Sequence, residues 1–165
     1  MRVLGIDPGT INLGYGVVDE VDDKRTMVDC GVVSLSPKAP VEQRLCFLYK
    51  RLNEIITQYQ PDEVAIEEPF VAGNARSALA IGRAQATAII AAANMELSIS
   101  RYLPTQVKQR VTDYGNSSKE QVQEMVKFQL GLIQPPQSSD AADALAVAIC
   151  HLHQRRLDRL LAKSQ

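Results

Sequence analysis

Apolar residues come in short, β-branched or leucine-rich runs at the start of the chain, and this pattern predicts three strands, Val3–Asp7, Tyr15–Asp19 and Thr26–Leu35. The Asp7-Pro8-Gly9 turn region and the polar Asp22-Asp23-Lys24-Arg25 connection between them are too short for a crossover helix, so antiparallel neighbours are expected. The period then changes. Leu45, Leu48, Leu52, Ile55, Ile56 and Tyr59 fall at helical spacing and predict an amphipathic helix over Val41–Tyr59. Gln60-Pro61-Asp62 ends it and leads into a strand at Glu63–Glu67.

A second helix is expected over Ala75–Ala93. Its apolar residues (Leu79, Ile81, Ala86, Ile89, Ile90, Ala92) cover more than one face, so it is either central or packed against another chain. Leu97–Tyr102 reads as a strand and Thr105–Val111 as a short helix. Ser117-Ser118-Lys119-Glu120 reads as a capping box opening a helix to about Leu130. After Pro135-Pro136, Ser138 or Ser139 caps the last helix. Three strands followed by alternating helices and strands predict an α/β fold. Its five-stranded mixed sheet has three antiparallel strands, then two parallel, with helices on both faces. No repeat or long linker divides the chain, so residues 1–165 are expected to form one domain.

Against this pattern four carboxylates stand out. Asp7 closes an apolar strand, Glu67 follows Val64-Ala65-Ile66, and Asp140 and Asp143 open an otherwise apolar helix. Each has a bland reading. Asp-Pro-Gly is a turn signature, Glu67-Glu68 could mark where a strand meets solvent, and first-turn aspartates suit a helix dipole. Together they require four unrelated acids, most of them on or near core-forming elements, where acids are rarely tolerated unpaired. Asp140 and Asp143, three apart, share a helix face with Cβ atoms about 5–6 Å apart. Convergence on a hard divalent cation gives all four a common cause.

Composition bounds the partners. The longest apolar stretch, Ala86 to Ala93, is far too short to span a membrane, and the first residues lack the apolar core of a signal peptide. Cys30, Cys46 and Cys150 are too scattered for a disulfide framework or zinc site, so a cytoplasmic protein with reduced thiols is expected. Net charge is −1, but residues 1–100 carry 9 basic and 13 acidic side chains and residues 101–165 carry 9 and 6. Nucleic acid would have to meet a local basic face. His151 and His153 lack a third ligand and read as structural, and Arg155–Leu161 reads as an amphipathic helical end.

These residues carry a specific resemblance. Val3-Leu4-Gly5-Ile6-Asp7-Pro8-Gly9 with Gly14-Tyr15-Gly16-Val17-Val18, then Ala65-Ile66-Glu67 with Phe70, then Gln106-Val107-Lys108, Lys119 and Asp140-Ala141-Ala142-Asp143 resemble, in order and spacing, the bacterial RuvC Holliday junction resolvases. The resemblance covers nearly the whole chain. It implies an RNase H-like fold, a homodimer, and paired nicking of four-way junction DNA in recombination and repair. It also implies two Mg²⁺ per active site, with Mn²⁺ a possible substitute, and a branch-migration motor of the RuvA and RuvB type as partner. Carried over by position, Asp7, Glu67, Asp140 and Asp143 are the metal-binding catalytic acids, and Lys108 and Lys119 lie near the scissile phosphate. Phe70 would stack on or wedge a base at the crossover, the alternative being a core aromatic under its loop. Gly73 stands where a basic residue is expected, and Arg76 is the base that compensates.

Two rivals follow from the same residues. Gly5-Ile6-Asp7-Pro8-Gly9-Thr10 is similar to the phosphate loop of actin-like ATP phosphotransferases, which need two such subdomains, more than 165 residues supply. A junction-binding scaffold without catalysis would bind its anionic partner more easily without the four acids.

Overall fold

The computed structural model describes residues 1–9, 11–68 and 75–163. In chain order these form β1 (Arg2–Asp7), β2 (Asn12–Val21), β3 (Lys24–Ser34), α1 (Val41–Tyr59), β4 (Glu63–Glu67), α2 (Ala75–Asn94), β5 (Ser98–Tyr102), α3 (Pro104–Thr112), α4 (Lys119–Gln129) and α5 (Ser139–Lys163). The sheet order is β3-β2-β1-β4-β5. β3, β2 and β1 pair antiparallel, whereas β1, β4 and β5 pair parallel. This is the mixed sheet that the pattern of elements predicts, and it is the RNase H-like fold that the resemblance implies.

Two local expectations need correction. β2 and β3 each run two residues closer to their shared turn than the apolar pattern indicates. Asp22 and Asp23 both take positive φ (51° and 61°), as a tight two-residue hairpin requires, so Lys24 and Arg25 pair within β3. The outer strand β3 is mostly exposed or half-buried, and exposed pairing leaves no apolar alternation to read. The cap of α4 is also shifted. Ser118 Oγ accepts from the Gln121 N–H, and the Gln121 side chain accepts the Ser118 N–H, so the box is Ser118–Gln121. Ser117 is buried instead, its hydroxyl bonded to the Tyr114 carbonyl at 2.8 Å.

The strands' two-residue period divides the core between the faces. Leu4, Ile6, Leu13, Val17, Val64 and Ile66 pack against Leu48, Leu52 and Ile56 of α1 and the alanine face of α2. Val3, Val18 and Ala65 point the other way, toward α3, α4 and the long α5, whose Leu145, Ile149 and Leu152 are fully buried.

α5 lies unusually close to its sheet. An added Cβ at Gly5 would stand 2.1 Å from the Ala144 carbonyl oxygen, and one at Gly14 would stand 2.0 Å from that of Asp140. The missing side chains at these two positions let helix backbone rest on strand backbone. Gly5→Ala or Gly14→Ala should therefore cost at least the upper end of the ~1–3 kcal/mol usual for overpacking, because backbone rather than a flexible side chain must move. Gly82, inside α2 with nothing within 4 Å of its added Cβ, is the contrast. Gly82→Ala should stabilise by roughly 0.5–1 kcal/mol. Urea unfolding midpoints check both, and a wild-type midpoint for Gly14→Ala would contradict the close-contact argument.

Candidate active site

Asp7 and Glu67 end neighbouring parallel strands. Gly5 pairs with Ala65 and Ile6 with Ile66, so one step further sets Asp7 beside Glu67 at the carboxyl ends of β1 and β4. Counting by twos from Val3 and Ala65 puts both acids on the face covered by α5. Across the antiparallel register, Asp7 lies opposite Gly14, the residue on which the Asp140 carbonyl rests. The glycine contact thus holds the first turn of α5 above the strand ends, and Asp143 follows one turn on. Ser138 stands just before that helix, its carbonyl accepting the Ala142 N–H.

Asp7, Glu67 and Asp143 line one cavity of about 270 Å³ together with Lys108 of α3 and Lys119 of α4. Pro104, Val107, Val122 and Ala146 supply its apolar wall. Lys119 Nζ stands 3.3 Å from Asp143 Oδ2. Asp140, half-buried in the first turn, lies outside this lining but acts on Asp7 through its charge. Arg76 is exposed in the first turn of α2 and is not among the residues that line this cavity. Phe70 and Gly73 fall outside the described residues.

The electrostatics follow from this crowding. Burial raises the Asp7 carboxyl to about 7, with the charges of Asp143 and Asp140 adding to it and Lys119 opposing. Burial likewise raises Glu67 to about 8, helped by Asp7 and Asp143 and opposed by Lys119 and Lys108. The Asp143 carboxylate raises the Lys119 ammonium in turn. The donor set is oxygen only and its charges repel, which suits a hard divalent cation. Among the described residues no three acids already meet at ligand spacing. The fit therefore lies in the chemistry and charge of the donors rather than in a closed ligand shell.

The sequence pattern left one acid on this face unnoticed. Glu63 lies four residues before Glu67, hence on the same side of β4, and accepts from Arg155 at 2.9 Å. Its carboxylate also lies 2.6 Å from His151 Nε2, and His151 Nδ1 lies 2.7 Å from the Tyr102 hydroxyl. The i, i+2, i+4 alternation of Glu63, Ala65 and Glu67 was the available signal. His151 has the structural role expected, and burial lowers its pKa.

The raised acids set a pH dependence. Asp7 and Glu67 hold protons more tightly when folded than unfolded, so their contribution to stability is present in acid and is lost as pH rises through about 7 and 8. In chelator, the melting temperature should fall between about pH 5 and about pH 9, and Asp7→Asn should flatten that fall. At the alkaline end the variant should melt higher, by ~2–4 °C for each kcal/mol of burial penalty and repulsion removed. Parallel melting curves for the two proteins across this range would refute this account of the buried Asp7 carboxyl.

The family model described as crossover junction endodeoxyribonuclease RuvC matches residues 3–151. The crossover junction endodeoxyribonuclease RuvC of Dehalococcoides mccartyi (strain BAV1) is 53% identical over 165 residues, covering 99% of this chain and 98% of that protein. The solved structure of Thermus thermophilus RuvC superposes with a TM-score of 0.89 at 35% identity, covering 96% of this chain and 97% of that one. The same protein in complex with Holliday junction substrate gives 0.87 at 35% identity over 95% and 96%. With a family model matching most of the chain and a relative 53% identical over nearly all of it, this chain belongs to the RuvC family of crossover junction endodeoxyribonucleases.

Proposed function

We propose that this protein resolves four-way DNA junctions in recombination and repair, nicking phosphodiesters with Asp7, Glu67, Asp140 and Asp143 as metal-binding catalytic acids. The observation that carries the reading is the convergence of Asp7, Glu67 and Asp143 with Lys108 and Lys119 on one cavity. The relationship to a RuvC solved with a Holliday junction substrate supports the choice of DNA. The family is one of metal-dependent nucleases, and two Mg²⁺, or Mn²⁺ in their place, are the ions this oxygen donor set favours. Such ions supply, when bound, an activated water and charge compensation at the leaving oxygen.

The protein's own groups have separable tasks. Asp7 and Glu67, fixed by strand register, form the rigid base of the cavity, and Asp140 and Asp143 arrive from above on α5. Lys119 offsets Asp143 and is placed at the start of α4, where backbone N–H groups also favour a phosphate. Lys108 faces the same cavity from α3. The apolar wall of Val107, Val122 and Ala146 limits water beside the charges, which strengthens every electrostatic contact there. For Phe70 stacking at the crossover and for Arg76 contacting the backbone, the support is the family resemblance. The same holds for a RuvA- and RuvB-type motor as partner.

A synthetic mobile four-way junction, incubated with and without Mg²⁺ beside a duplex and a flap, tests the reading. The wild-type protein should nick the junction symmetrically and only with metal. Single Asp7→Asn, Glu67→Gln, Asp140→Asn and Asp143→Asn variants should lose nicking while still shifting the junction in a gel. Lys119→Ala should cut more slowly and flatten the salt dependence of binding by about one phosphate contact. Cleavage at wild-type rates by any two of the acid variants would sink the assignment.

We further propose a homodimer built on α2 in a single domain, in the cytoplasm. Leu79 and Ile90 of α2 are 57% and 53% exposed, a large apolar area for one helix to leave in water. Ile81 and Ile89 are half-buried, and Ile89 packs against the core. Charge at Leu79 and Ile90 therefore tests the interface with least harm to the fold. The Leu79→Glu/Ile90→Glu variant should sediment as a folded monomer, and a folded dimer would remove α2 from the interface.

A further inference from the structure

A second cavity adjoins the acidic one. It has a volume of about 410 Å³ and is lined by Leu103, Pro104 and Thr105 at the start of α3, Lys108 one turn on, and Gly115 and Asn116 from the connection to α4. Pro104 and Lys108 line both cavities, so the two lie side by side at the first turns of α3. The wall is predominantly apolar, with Leu103 43% exposed. Nothing in the roles assigned to the acids and lysines uses this space.

The far wall is held firmly. Thr112 Oγ1 donates to the Lys108 carbonyl at 2.8 Å and lies 2.5 Å from the Ser117 hydroxyl. Ser117 is buried and its hydroxyl also bonds the Tyr114 carbonyl. Asp113 takes a left-handed conformation at φ 64°, turning the chain back over α3. Asn116 is thereby presented, exposed, opposite the α3 start. An asparagine side chain offers a donor and an acceptor together, the pairing that reads the edge of a base.

Resting on the nuclease reading above, we propose that this cavity receives the sugar and base of the nucleotide adjoining the scissile phosphate, and that Asn116 reads the edge of that base. A phosphate held between the acids and Lys108 leaves its neighbouring nucleoside on the far side of Lys108, where this cavity opens. The apolar wall of Leu103 and Pro104 suits a sugar and a base face, and the one amide on the rim supplies discrimination. Asn116 is a specificity-determining residue, and Lys108 belongs to both subsites.

The test is cleavage of a set of four-way junctions randomised at the two positions flanking the cut, with each product sequenced. The wild-type protein should prefer particular bases there, and Asn116→Ala should flatten the preference at one flanking position by about fivefold or more. Gly115→Phe, at a glycine whose added Cβ meets only the Thr105 carbonyl at 3.9 Å, should fill the cavity and lower the cutting rate about tenfold or more. Unaltered base preference in Asn116→Ala, with unaltered rate in Gly115→Phe, overturns the proposal while leaving the nuclease reading intact. If the wild-type protein cuts no junction in Mg²⁺, the nuclease reading fails and this inference falls with it. Asn116 is exposed and Gly115 half-buried, and the melting temperatures of both variants check that folding is retained.

Discussion

The contact of α5 with the bare backbone of β1 and β2 is the constraint on which the rest depends. A helix normally stands off a sheet by the thickness of two side chains. Here Gly5 and Gly14 remove one of those layers, and carbonyls of α5 occupy the space where Cβ atoms would be. The consequence reaches beyond packing. Asp140 and Asp143 open that helix, and Asp7 closes the strand it rests on. A helix seated farther from the sheet would carry its two acids away from the strand-end pair. The glycines are thus as much a part of the site as the acids, although none touches the cavity.

The two ends of α5 are treated in opposite ways. Toward its carboxyl end, buried charge is fully met. Arg25 and Glu20 pair at 2.9 Å with little exposure, and Glu20 also takes Arg159. His151 is bound on both ring nitrogens by Tyr102 and Glu63. Toward the amino end, acids face one another, and one ion pair, Lys119 with Asp143, offsets them among the described residues lining the cavity. Half-satisfied polar clusters destabilise a fold. The paired and well-packed carboxyl half of the helix, with Leu145, Ile149 and Leu152 fully buried, anchors the strained amino half.

Much of this was legible in the residues because the signals were periodic. Val41–Tyr59 and Glu63–Glu67 match their elements end to end, since an apolar stripe or run there coincides with burial. The β2–β3 turn is tighter than the apolar pattern predicts because β3 is largely exposed and its pairing is written in backbone hydrogen bonds rather than in side chains. The α4 cap slipped by one residue because Ser117 and Ser118 are chemically equal, and burial alone separates them. Lys108 was placed beside the acids by resemblance, and the structure brings it to the same cavity. The glycine floor was visible as residues but not as a function, because close approach is a property of two elements that only the fold brings together.

Net charge is the remaining apparent conflict, and it resolves by location. The chain carries 18 basic and 19 acidic residues, a poor balance for a protein that must hold DNA. Setting aside the four acids proposed to hold metal leaves 18 against 15, a balance of +3. Their charges are also the most confined, three of them lining a single cavity. On the proposed reading, cation binding removes negative potential at the one place where a phosphate must approach, and leaves Lys108 and Lys119 unopposed beside it. Metal and DNA then assist each other through shared electrostatics, without any change of shape, and the coupling is reciprocal. On that reading, the acids that repel DNA without a cation are the ones that let the cavity receive it with one.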